Sequence, residues 1–365
     1  MRLNLLQVTD YRNIVHATLT PAPQLTVLCG ANGQGKTNLL ESIWLLTGGK
    51  SFRGAKDAEL IRRGADFAVL EAEFTAANRD QQMRLTVGSR GTARPGRTVK
   101  LNGADRGRAA SVAGTFTAVA FDPNHLSLVK AGPEGRRRFL DAALCQLYPG
   151  YLAALRRYAR TVAQKNALLK NYEITPGAKP LLETYNEAMA SCGGELMARR
   201  ADYLARLAPM AADNYRDISR GAERLELRYE PSCAVGGPES LLARLREVMA
   251  TELRAGFCLA GPHREDIEVL IDGQPGKIYG SQGQQRSAVL SMKLAEASVA
   301  GEVLGEHPVM LLDDVLSELD DARQTYLLTR IEDKQTFVTT CDSAAFARTN
   351  GKVVMVEGGK VEETP

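Results

Sequence analysis

The feature that most constrains the fold is a glycine-rich segment of the form GxxxxGK[ST] near the start of the chain. It occupies residues 30–37, follows the apolar run Leu25–Cys29, and precedes a segment with apolar residues at helical spacing. A short, fully apolar run predicts a parallel strand that is buried on both faces. Glycines let the following backbone turn so that its N–H groups point at one anion. The segment therefore predicts a strand–loop–helix unit that holds phosphates.

The residue types in this loop predict an ATP site that also holds Mg²⁺. Lys36 is expected to reach the β- and γ-phosphates and to take part in catalysis, and the Thr37 hydroxyl is expected to ligate Mg²⁺. A glycine-rich turn without a ligand is the alternative, and the strand and helix on either side of the loop disfavour it. The predicted ATP-binding residues are Gly30, Ala31, Asn32, Gly33, Gln34, Gly35, Lys36 and Thr37.

A second motif is an apolar run at residues 309–312 that ends in two acids, the Walker B form. We expect Asp313 to hold Mg²⁺ together with Thr37, and Asp314 to polarise the attacking water as the catalytic base. An aspartate after a buried strand often only caps the next helix. The phosphate-binding loop elsewhere in the chain favours the catalytic interpretation.

A third motif, YGSQGQQR at residues 279–286, precedes a segment of helical periodicity. A serine hydroxyl and backbone N–H groups at a helix N-terminus form an anion site. The string resembles the ABC signature LSGGQ, which in ABC ATPases binds the γ-phosphate of a nucleotide held by the opposite subunit. The predicted signature residues, acting on the partner's nucleotide, are Ser281, Gln282, Gly283 and Gln284.

Two further positions concern the same ATPase cycle. Ser317 and Asp320 follow the Walker B strand and resemble the D-loop, which crosses the dimer interface of ABC ATPases. Cys341 stands where such enzymes usually carry a switch histidine. Without an imidazole at that position we expect slow hydrolysis. The residue of a Q-loop is not identified by the sequence.

The order of strand-like and helix-like segments predicts an α/β protein in which both ends of the chain form one ATPase head. Residues 1–121 are predicted to form the N-terminal half of the head with an antiparallel β subdomain. Residues 122–256 are predicted to form an inserted, mainly helical lobe, and residues 257–365 the C-terminal half with the signature, Walker B and D-loop. Recurring strand–helix units imply a parallel sheet.

The net charge of +3 is low, so any DNA contact must come from a local basic patch. The candidates lie on predicted helices of the lobe, where a solvated face or ion pairing is an equally good interpretation. These candidates are Arg136, Arg137, Arg138, Arg156, Arg157 and Arg160, with Lys165 beside them.

The sequence also bears on location and redox environment. No segment approaches the ~20 continuous apolar residues that span a bilayer, and the start of the chain lacks a signal-peptide core. The six cysteines are scattered without metal-binding spacing, so we expect a cytoplasmic protein whose cysteines are small buried side chains.

Several strings along the whole chain resemble the RecF family, relatives of the Rad50 and SMC ATPases. One of them, DDVLSELD at the Walker B strand, together with SQGQQR, distinguishes this family from transporters, which typically have Asp-Glu-Pro there. The strings are YRN at 11–13, NLLE at 38–41, GKSFR at 49–53, FDPNHL at 121–126, RRRFLD at 136–141, GPHR at 261–264 and DDVLSELD at 313–320.

This resemblance implies a Rad50-like ABC ATPase head without a long coiled coil, which forms a homodimer when it binds ATP. It further implies binding to DNA at single-strand gaps or junctions, with slow, DNA-stimulated ATP hydrolysis. Cooperation with RecO and RecR in loading RecA, and roles in DNA repair, recombination, replication and the SOS response, are implied in the same way.

Three alternatives remain at this point. The ATPase subunit of a membrane transporter is disfavoured by the absence of Asp-Glu-Pro and by the inserted lobe. A P-loop kinase or a nuclease-associated ATPase is disfavoured by the signature string and by the lack of a carboxylate cluster. A scaffold that binds ATP without turnover stays open.

Overall fold

A computed structural model describes residues 1–89, 91–93, 95–342 and 351–363 of the chain. Its strands are β1 (Arg2–Tyr11), β2 (Ile14–Leu19), β3 (Leu25–Cys29), β4 (Phe67–Ala76), β5 (Arg79–Gly88), β6 (Gly96–Leu101), β7 (Ala104–Arg108), β8 (Ala118–Phe121), β9 (Leu225–Glu230), β10 (Asp266–Ile271), β11 (Gln274–Pro275), β12 (Val309–Leu312), β13 (Thr336–Thr340), β14 (Lys352–Glu357) and β15 (Lys360–Glu363). Its helices are α1 (Lys36–Leu45), α2 (Asp57–Leu60), α3 (Pro133–Leu147), α4 (Tyr151–Lys170), α5 (Ala178–Ile218), α6 (Pro238–Ala255), α7 (Gly276–Tyr279), α8 (Gln282–Leu304) and α9 (Asp321–Arg330).

The chain divides into two compact units. The first contains Met1–Ser127 and Val289–Pro365, and the second contains Leu128–Ala288. The predicted lobe boundaries, 122 and 256, differ from these at both ends. The second unit extends past 256 because β9, inside the lobe, pairs along its whole length with β10, so that the strands after α6 fold with the lobe. The signature string therefore belongs to the second unit.

The first unit is built on a six-stranded sheet in the order β15-β14-β3-β13-β12-β8, parallel except for the β14–β15 pair. The N-terminal strand β3 lies between β13 and β14, so both ends of the chain form this sheet, as predicted. All residues of β8 and β12 are buried, because helices and other chain segments cover both faces of a parallel sheet. The predicted α/β class is confirmed. The carboxyl ends of these parallel strands meet at one edge.

The second sheet of this unit is antiparallel, in the order β2-β1-β4-β5-β6-β7, and is the predicted β subdomain. Its strand β4 alternates between buried and more exposed residues, as expected when one face packs on a core, whereas the edge strand β7 is exposed throughout. The alternation of β1 is interrupted by a register shift between Leu3 and Leu5. Because a bulge moves the following side chains to the other face, Leu6 is buried while Leu5 is only half-buried.

The second unit is mainly helical, with a three-stranded sheet in the order β11-β10-β9. Its longest helix, α5, has 41 residues and is roughly 60 Å long. Gly193 and Gly194 lie in α5 where α6 begins to pack, and a Cβ at Gly194 would be 2.7 Å from the backbone nitrogen of Pro238. The missing side chains thus allow α5 and α6 to approach closely.

A buried ion pair joins two helices of this unit. The Lys165 ammonium of α4 donates to Glu252 of α6 at 2.5 Å, and both side chains are 0% exposed. The other Glu252 oxygen accepts from the backbone N–H of Leu259 at 2.8 Å. The expectation that Lys165 adds to a basic surface is therefore wrong, because its charge is neutralised inside the unit.

Two whole-chain expectations concern cysteines and membrane segments. The six cysteines are all free, and Cys341 is exposed rather than buried as expected, because it lies past the end of β13 at the nucleotide-binding loop. Among the described helices, none is both long and apolar enough to cross a membrane.

We predict that Lys165→Met lowers the free energy of unfolding by about 3–5 kcal/mol, because it leaves the Glu252 carboxylate buried without its cation. The variant Lys165→Met/Glu252→Gln is expected to recover most of this loss. Urea unfolding followed by helix circular dichroism measures both.

Lys170→Met is the matched control, since Lys170 is exposed at the end of the same helix. A change within about 0.5 kcal/mol is expected for it. Equal unfolding midpoints for Lys165→Met and Lys170→Met would contradict the burial of this pair.

Candidate nucleotide-binding site

The loop between β3 and α1 has a backbone that only glycine adopts easily. Gly33 and Gly35 have φ values of +80° and +116°, in the left-handed region. Gly30 is needed for a different reason, since a Cβ there would lie 2.2 Å from the carbonyl oxygen of Val356 on β14. The first helical residue is Lys36, so the N-terminal end of α1 faces the loop. This is the geometry of an anion cradle.

Lys36 is folded back onto this loop. Its side chain is only 8% exposed, and its ammonium donates to the carbonyl oxygens of Gly30 and Ala31, the latter at 3.0 Å. The ammonium also lies 3.4 Å from Cys341 Sγ, and that thiol donates to Asn32 Oδ1 at 3.0 Å. The charge of Lys36 is thus held at the cradle, where phosphate oxygens would replace the carbonyl acceptors.

Thr37 and Asp313 are brought together as the sequence predicted. The Thr37 hydroxyl donates to Asp313 Oδ1 at 2.8 Å, and the Thr339 hydroxyl of β13 donates to the same oxygen at 2.9 Å. Burial raises the pKa of Asp313 despite these hydrogen bonds. Hydroxyl and carboxylate oxygens are ligands that Mg²⁺ prefers, so Thr37 and Asp313 are the residues that would hold a magnesium ion beside the glycine cradle.

Asp314, the predicted base, is exposed and has an unusual backbone. Its φ is +52°, a left-handed conformation that few residues other than glycine, asparagine and aspartate adopt. Its N–H donates to Thr339 Oγ1 at 2.8 Å, and its carbonyl oxygen accepts from Ser317. Thr339 therefore contacts both aspartates. Its hydroxyl donates to the Asp313 carboxylate, and its oxygen accepts from the Asp314 N–H.

Glu41 is a site residue that the motif analysis did not single out. Its carboxylate is fully buried in α1 and accepts from Tyr11 at 2.7 Å, from two guanidinium nitrogens of Arg12, and from Ser51. Burial alone would raise the pKa of Glu41, but the bonds from Arg12, Ser51 and Tyr11 outweigh it and leave the pKa below its usual value. Three strings of the family resemblance thus converge on one carboxylate that fixes α1.

The outer side of the loop is held by asparagine side chains. Asn13 donates to the carbonyl oxygen of Gln34 at 3.2 Å and accepts from Asn38 at 2.7 Å. The exposed Arg53 donates to Asn38 at 3.0 Å, and its charge acts to lower the pKa of Asp313. The loop is thus supported from the turn between β1 and β2, from α1 and from the segment after α1.

A second carboxylate missed by the motif analysis lies beside Asp313. Phe121 ends β8 opposite Leu312 of β12, so Asp122 and Asp313 follow neighbouring strands at the same edge. Asp122 is 2% exposed and its Oδ2 has no hydrogen-bond partner. Burial raises its pKa. The signal was available, because an acid directly after a buried parallel strand lies at the ligand-binding edge of such sheets.

His125 is the immediate neighbour of Asp122. Its Nδ1 accepts from the Asp122 N–H at 3.1 Å, so that nitrogen carries no proton and its 3.2 Å approach to Asp122 Oδ2 is no ion pair. Burial, helped by the charge of Lys293, lowers the pKa of His125 to about 3. A neutral imidazole therefore lies after β8, at the place where the first unit leads into the second.

The signature residues form the N-terminal end of α8, in the second unit. The Ser281 hydroxyl accepts from the Gln284 N–H at 3.2 Å, while Gln284 Oε1 accepts from the Ser281 N–H at 2.7 Å. This reciprocal pair is a capping box. Ser281 and Gln282 are exposed and Gly283 is half-buried. Ile278 and Tyr279, just before them, are 69% and 67% exposed.

The predicted D-loop residues are on the surface of the first unit. Ser317 is exposed and donates to the Asp314 carbonyl oxygen at 2.7 Å. Asp320 caps α9 by accepting from the Arg323 N–H at 2.9 Å. Asp320 thus has a local structural role in addition to any role at an interface.

The predicted arginine patch divides into two groups. Arg136 is buried, bound to Asp266 at 2.6 and 2.7 Å and to three backbone carbonyl oxygens. Its selection as a DNA contact is a mistake, because it is an internal ion pair that joins α3 to β10. Arg137 donates to the Glu265 carbonyl oxygen at 2.7 Å, and Arg138 pairs with Glu134.

The second group lies on α4. Arg156, Arg157 and Arg160 are all exposed and share one side of this helix. None of the three forms an ion pair with another residue in the described part of the chain. They remain the part of the predicted patch that is accessible to a phosphate backbone.

The comparisons with known proteins agree with this geometry. The chain matches the family described as RecF/RecN/SMC N terminal domain over residues 2–362. It is 40% identical over 351 residues to the DNA replication and repair protein RecF of Staphylococcus aureus strains JH9 and Newman, with 93% of both chains covered.

Solved structures give the same result. A structure described as the recombination mediator protein RecF with ATP in the RecFOR pathway has a TM-score of 0.91 and 32% identity, over 100% of this chain and 98% of that one. The Smc head domain of Pyrococcus furiosus, at 16% identity and a TM-score of 0.58 over 100% and 96%, shares the fold alone. The chain belongs to the RecF family, within the wider RecF/RecN/SMC group.

Proposed function

We propose that this protein is an ATP-dependent DNA-binding protein of recombinational repair and replication restart. It binds ATP and Mg²⁺ at the β3–α1 loop, closes as a homodimer around DNA, and reopens when ATP is slowly hydrolysed. By analogy with its RecF relatives, it acts at single-strand gaps or junctions with RecO and RecR to help load RecA. A role in the SOS response follows the same analogy.

The observation that carries this proposal is the arrangement of Lys36, Thr37 and Asp313 around the glycine cradle. These side chains, from the start and the end of the chain, supply a cation and oxygen ligands at one strand edge. The signature loop of residues 281–284 belongs to the other unit and has its helix N-terminus exposed. An exposed anion site next to two exposed apolar side chains, Ile278 and Tyr279, suits a surface that closes on a second copy.

The steps of the cycle follow from the side chains. Lys36 leaves its carbonyl acceptors to bind the phosphates, and Mg²⁺ at Thr37 and Asp313 would neutralise charge on the transferred phosphoryl group. Ser281 of the second copy donates its hydroxyl to the γ-phosphate. Because ATP bridges only the closed state, it shifts the population towards the dimer.

Hydrolysis depends on Asp314, which orients and polarises water at the γ-phosphate. Cys341 is the residue next to Lys36 at the switch position, and a thiol is a weak hydrogen-bond partner compared with an imidazole. The γ-phosphate is therefore sensed weakly and turnover is slow, with stimulation by DNA. The closed state lives long enough to act as a signal.

DNA is bound through its backbone by the exposed arginines of α4. Contacts of this type are independent of sequence and weaken as salt rises, because each neutralised phosphate releases counterions. Arg156, Arg157 and Arg160 provide three such charges on one helix side. Arg137 and Arg138, on α3, add less because each already has an acceptor.

We predict that Asp314→Asn traps the ATP-bound dimer, because asparagine keeps the left-handed backbone conformation while removing the base. Lys36→Ala is expected to weaken ATP binding about tenfold or more, through loss of charge-assisted bonds, and to remain a monomer. Analytical ultracentrifugation with ATP and Mg²⁺ over several hours measures both.

Asp80→Asn is the control for the charge change, since Asp80 is exposed on β5. It is expected to form and lose the dimer as the unchanged protein does. If ATP raises the sedimenting mass of neither the unchanged protein nor Asp314→Asn, the proposal of a homodimer that closes around DNA (the clamp) is wrong. Measured turnover in the unchanged protein also separates the switch from a scaffold that only binds ATP.

We predict that Arg156→Ala/Arg160→Ala makes the negative slope of log K against log salt for duplex DNA less steep by about 1.8, since each lost phosphate contact removes about 0.9. Fluorescence anisotropy with ATP at 50–200 mM salt, about the range where such contacts dominate, gives the slope.

Lys179→Ala/Arg206→Ala is the matched control, because it removes two exposed charges from α5 of the same unit. Its slope is expected to stay unchanged. Equal slopes for the two double variants would show that α4 is not the DNA-binding helix.

A further inference from the structure

The signature loop has a hydrogen-bond partner that lies outside every motif of the sequence. Glu223, in the connection between α5 and β9, accepts from Gln284 Nε2 at 2.9 Å. Its other carboxylate oxygen accepts from the Tyr215 hydroxyl at 2.6 Å. Tyr215 is 0% exposed and lies in the last turn of α5. All three residues belong to the second unit, so this chain of contacts lies within one compact body.

Glu223 decides which way the Gln284 amide points. A carboxylate only accepts hydrogen bonds, whereas an amide has one donor end and one acceptor end. Glu223 therefore selects the orientation in which Nε2 faces the carboxylate. Gln284 Oε1 then faces the Ser281 N–H, to which it is bound at 2.7 Å. With the amide reversed, both of these bonds would be lost.

The position of Ser281 follows from that of Gln284. The Ser281 hydroxyl accepts from the Gln284 N–H at 3.2 Å, which leaves its proton free to be donated elsewhere. A phosphate oxygen at this helix N-terminus would accept it. The position of the Ser281 hydroxyl thus depends on Gln284 and, through the Gln284 amide, on the Glu223 carboxylate.

We propose that Glu223 is a positioning residue for the signature loop, and that Tyr215 anchors it to the end of α5. This deepens the function proposed above, and its link to ATP-dependent pairing rests on that function. Without the carboxylate, the Gln284 amide keeps only one of the two bonds that orient it, so its bond to the Ser281 N–H is less ordered. The loop must then be ordered during pairing, which weakens the dimer and leaves ATP binding to one copy unchanged.

The first measurement is the dimer dissociation constant in saturating ATP, with Glu223→Ala, Tyr215→Phe and Glu223→Gln in the full-length chain. A bond to a charged group corresponds to a change of about tenfold or more. A symmetric dimer has two signature loops, so Glu223→Ala is expected to weaken pairing about a hundredfold. Tyr215→Phe is expected to have a smaller effect in the same direction.

Glu223→Gln is the conservative variant, since its side-chain oxygen still accepts from Gln284, and its dimer is expected to stay within about threefold of the unchanged protein. Glu226→Ala is the charge-matched control, because Glu226 is an exposed carboxylate three residues along that pairs with Arg228 instead. The affinity for ATP, measured at protein concentrations too low for pairing, is expected to be the same in all variants.

The second measurement does not depend on ATP or on pairing. Hydrogen–deuterium exchange of the peptide that covers residues 280–285 reports the protection of the Ser281 N–H. Glu223→Ala is expected to raise its exchange rate about tenfold, and Glu226→Ala is expected to leave it unchanged.

The two measurements separate the two proposals. If the unchanged protein fails to pair with ATP but Glu223→Ala still speeds exchange at 280–285, the positioning role stands and the clamp fails. If exchange at 280–285 is the same in Glu223→Ala and Glu226→Ala, the positioning role is overturned, whatever the state of pairing. If the protein does pair and the two variants have equal dimer dissociation constants, the link between Glu223 and ATP-dependent pairing is overturned.

Discussion

The buried carboxylate of Asp313 is the interaction on which the arrangement of the first unit depends. The Asp313 side-chain oxygen accepts from Thr37 of α1 and Thr339 of β13. The backbone N–H of Asp313 donates to the carbonyl oxygen of Phe121 in β8. These partners come from widely separated parts of the chain, and a parallel sheet brings their carboxyl ends to one edge. The cradle, the proposed metal ligand Asp313 and the proposed base Asp314 can therefore come together only when both ends of the chain are in the same sheet.

Features that depend on residues close together in the chain could be predicted from the sequence, whereas most side-chain contacts between distant residues could not. The cradle, the Walker B acids and the signature depend on residue type at fixed local spacing, so they could be recognised in the sequence. The sheet formed from both chain ends followed from recurring strand–helix units. The bulge at Leu5 could not be predicted, because one extra residue in a strand leaves no mark in composition.

Charge is where sequence reasoning failed, and the cause is pairing at long range. Arg136 and Lys165 lie at helical spacing from buried residues of their own helices, and Asp266 and Glu252 neutralise them from 130 and 87 residues away. A helical pattern shows which face is apolar but not which cation meets an acid from another element. Glu223 was missed for the same reason, since its partner Gln284 lies 61 residues later.

Two buried carboxylates of the first unit show how the same chemistry serves structure and function. Glu41 has Arg12 as a partner and a pKa below its usual value, so its contribution to stability is present above an ordinary glutamate pKa and is lost as pH falls through the lowered one. Asp313 accepts from two hydroxyl donors and forms no ion pair with any residue that the structure describes, and burial raises its pKa. Its ionised form therefore costs stability once pH rises above an ordinary aspartate pKa.

The difference between these carboxylates suits them to different roles. A carboxylate that is already neutralised, like Glu41, gains little from a further cation and is suited to holding α1 in place. A carboxylate that is buried and unneutralised, like Asp313, gains much from a divalent ion, since the ion removes the cost of keeping its charge out of water. Asp122 has an oxygen without a hydrogen-bond partner at the same edge of the parallel sheet, so a positive charge there would be favourable for it as well. A nucleotide bound with a metal ion would therefore stabilise this unit at the carboxylates that lack a cationic partner in the free protein, which is the energetic condition that the proposed ATP switch requires.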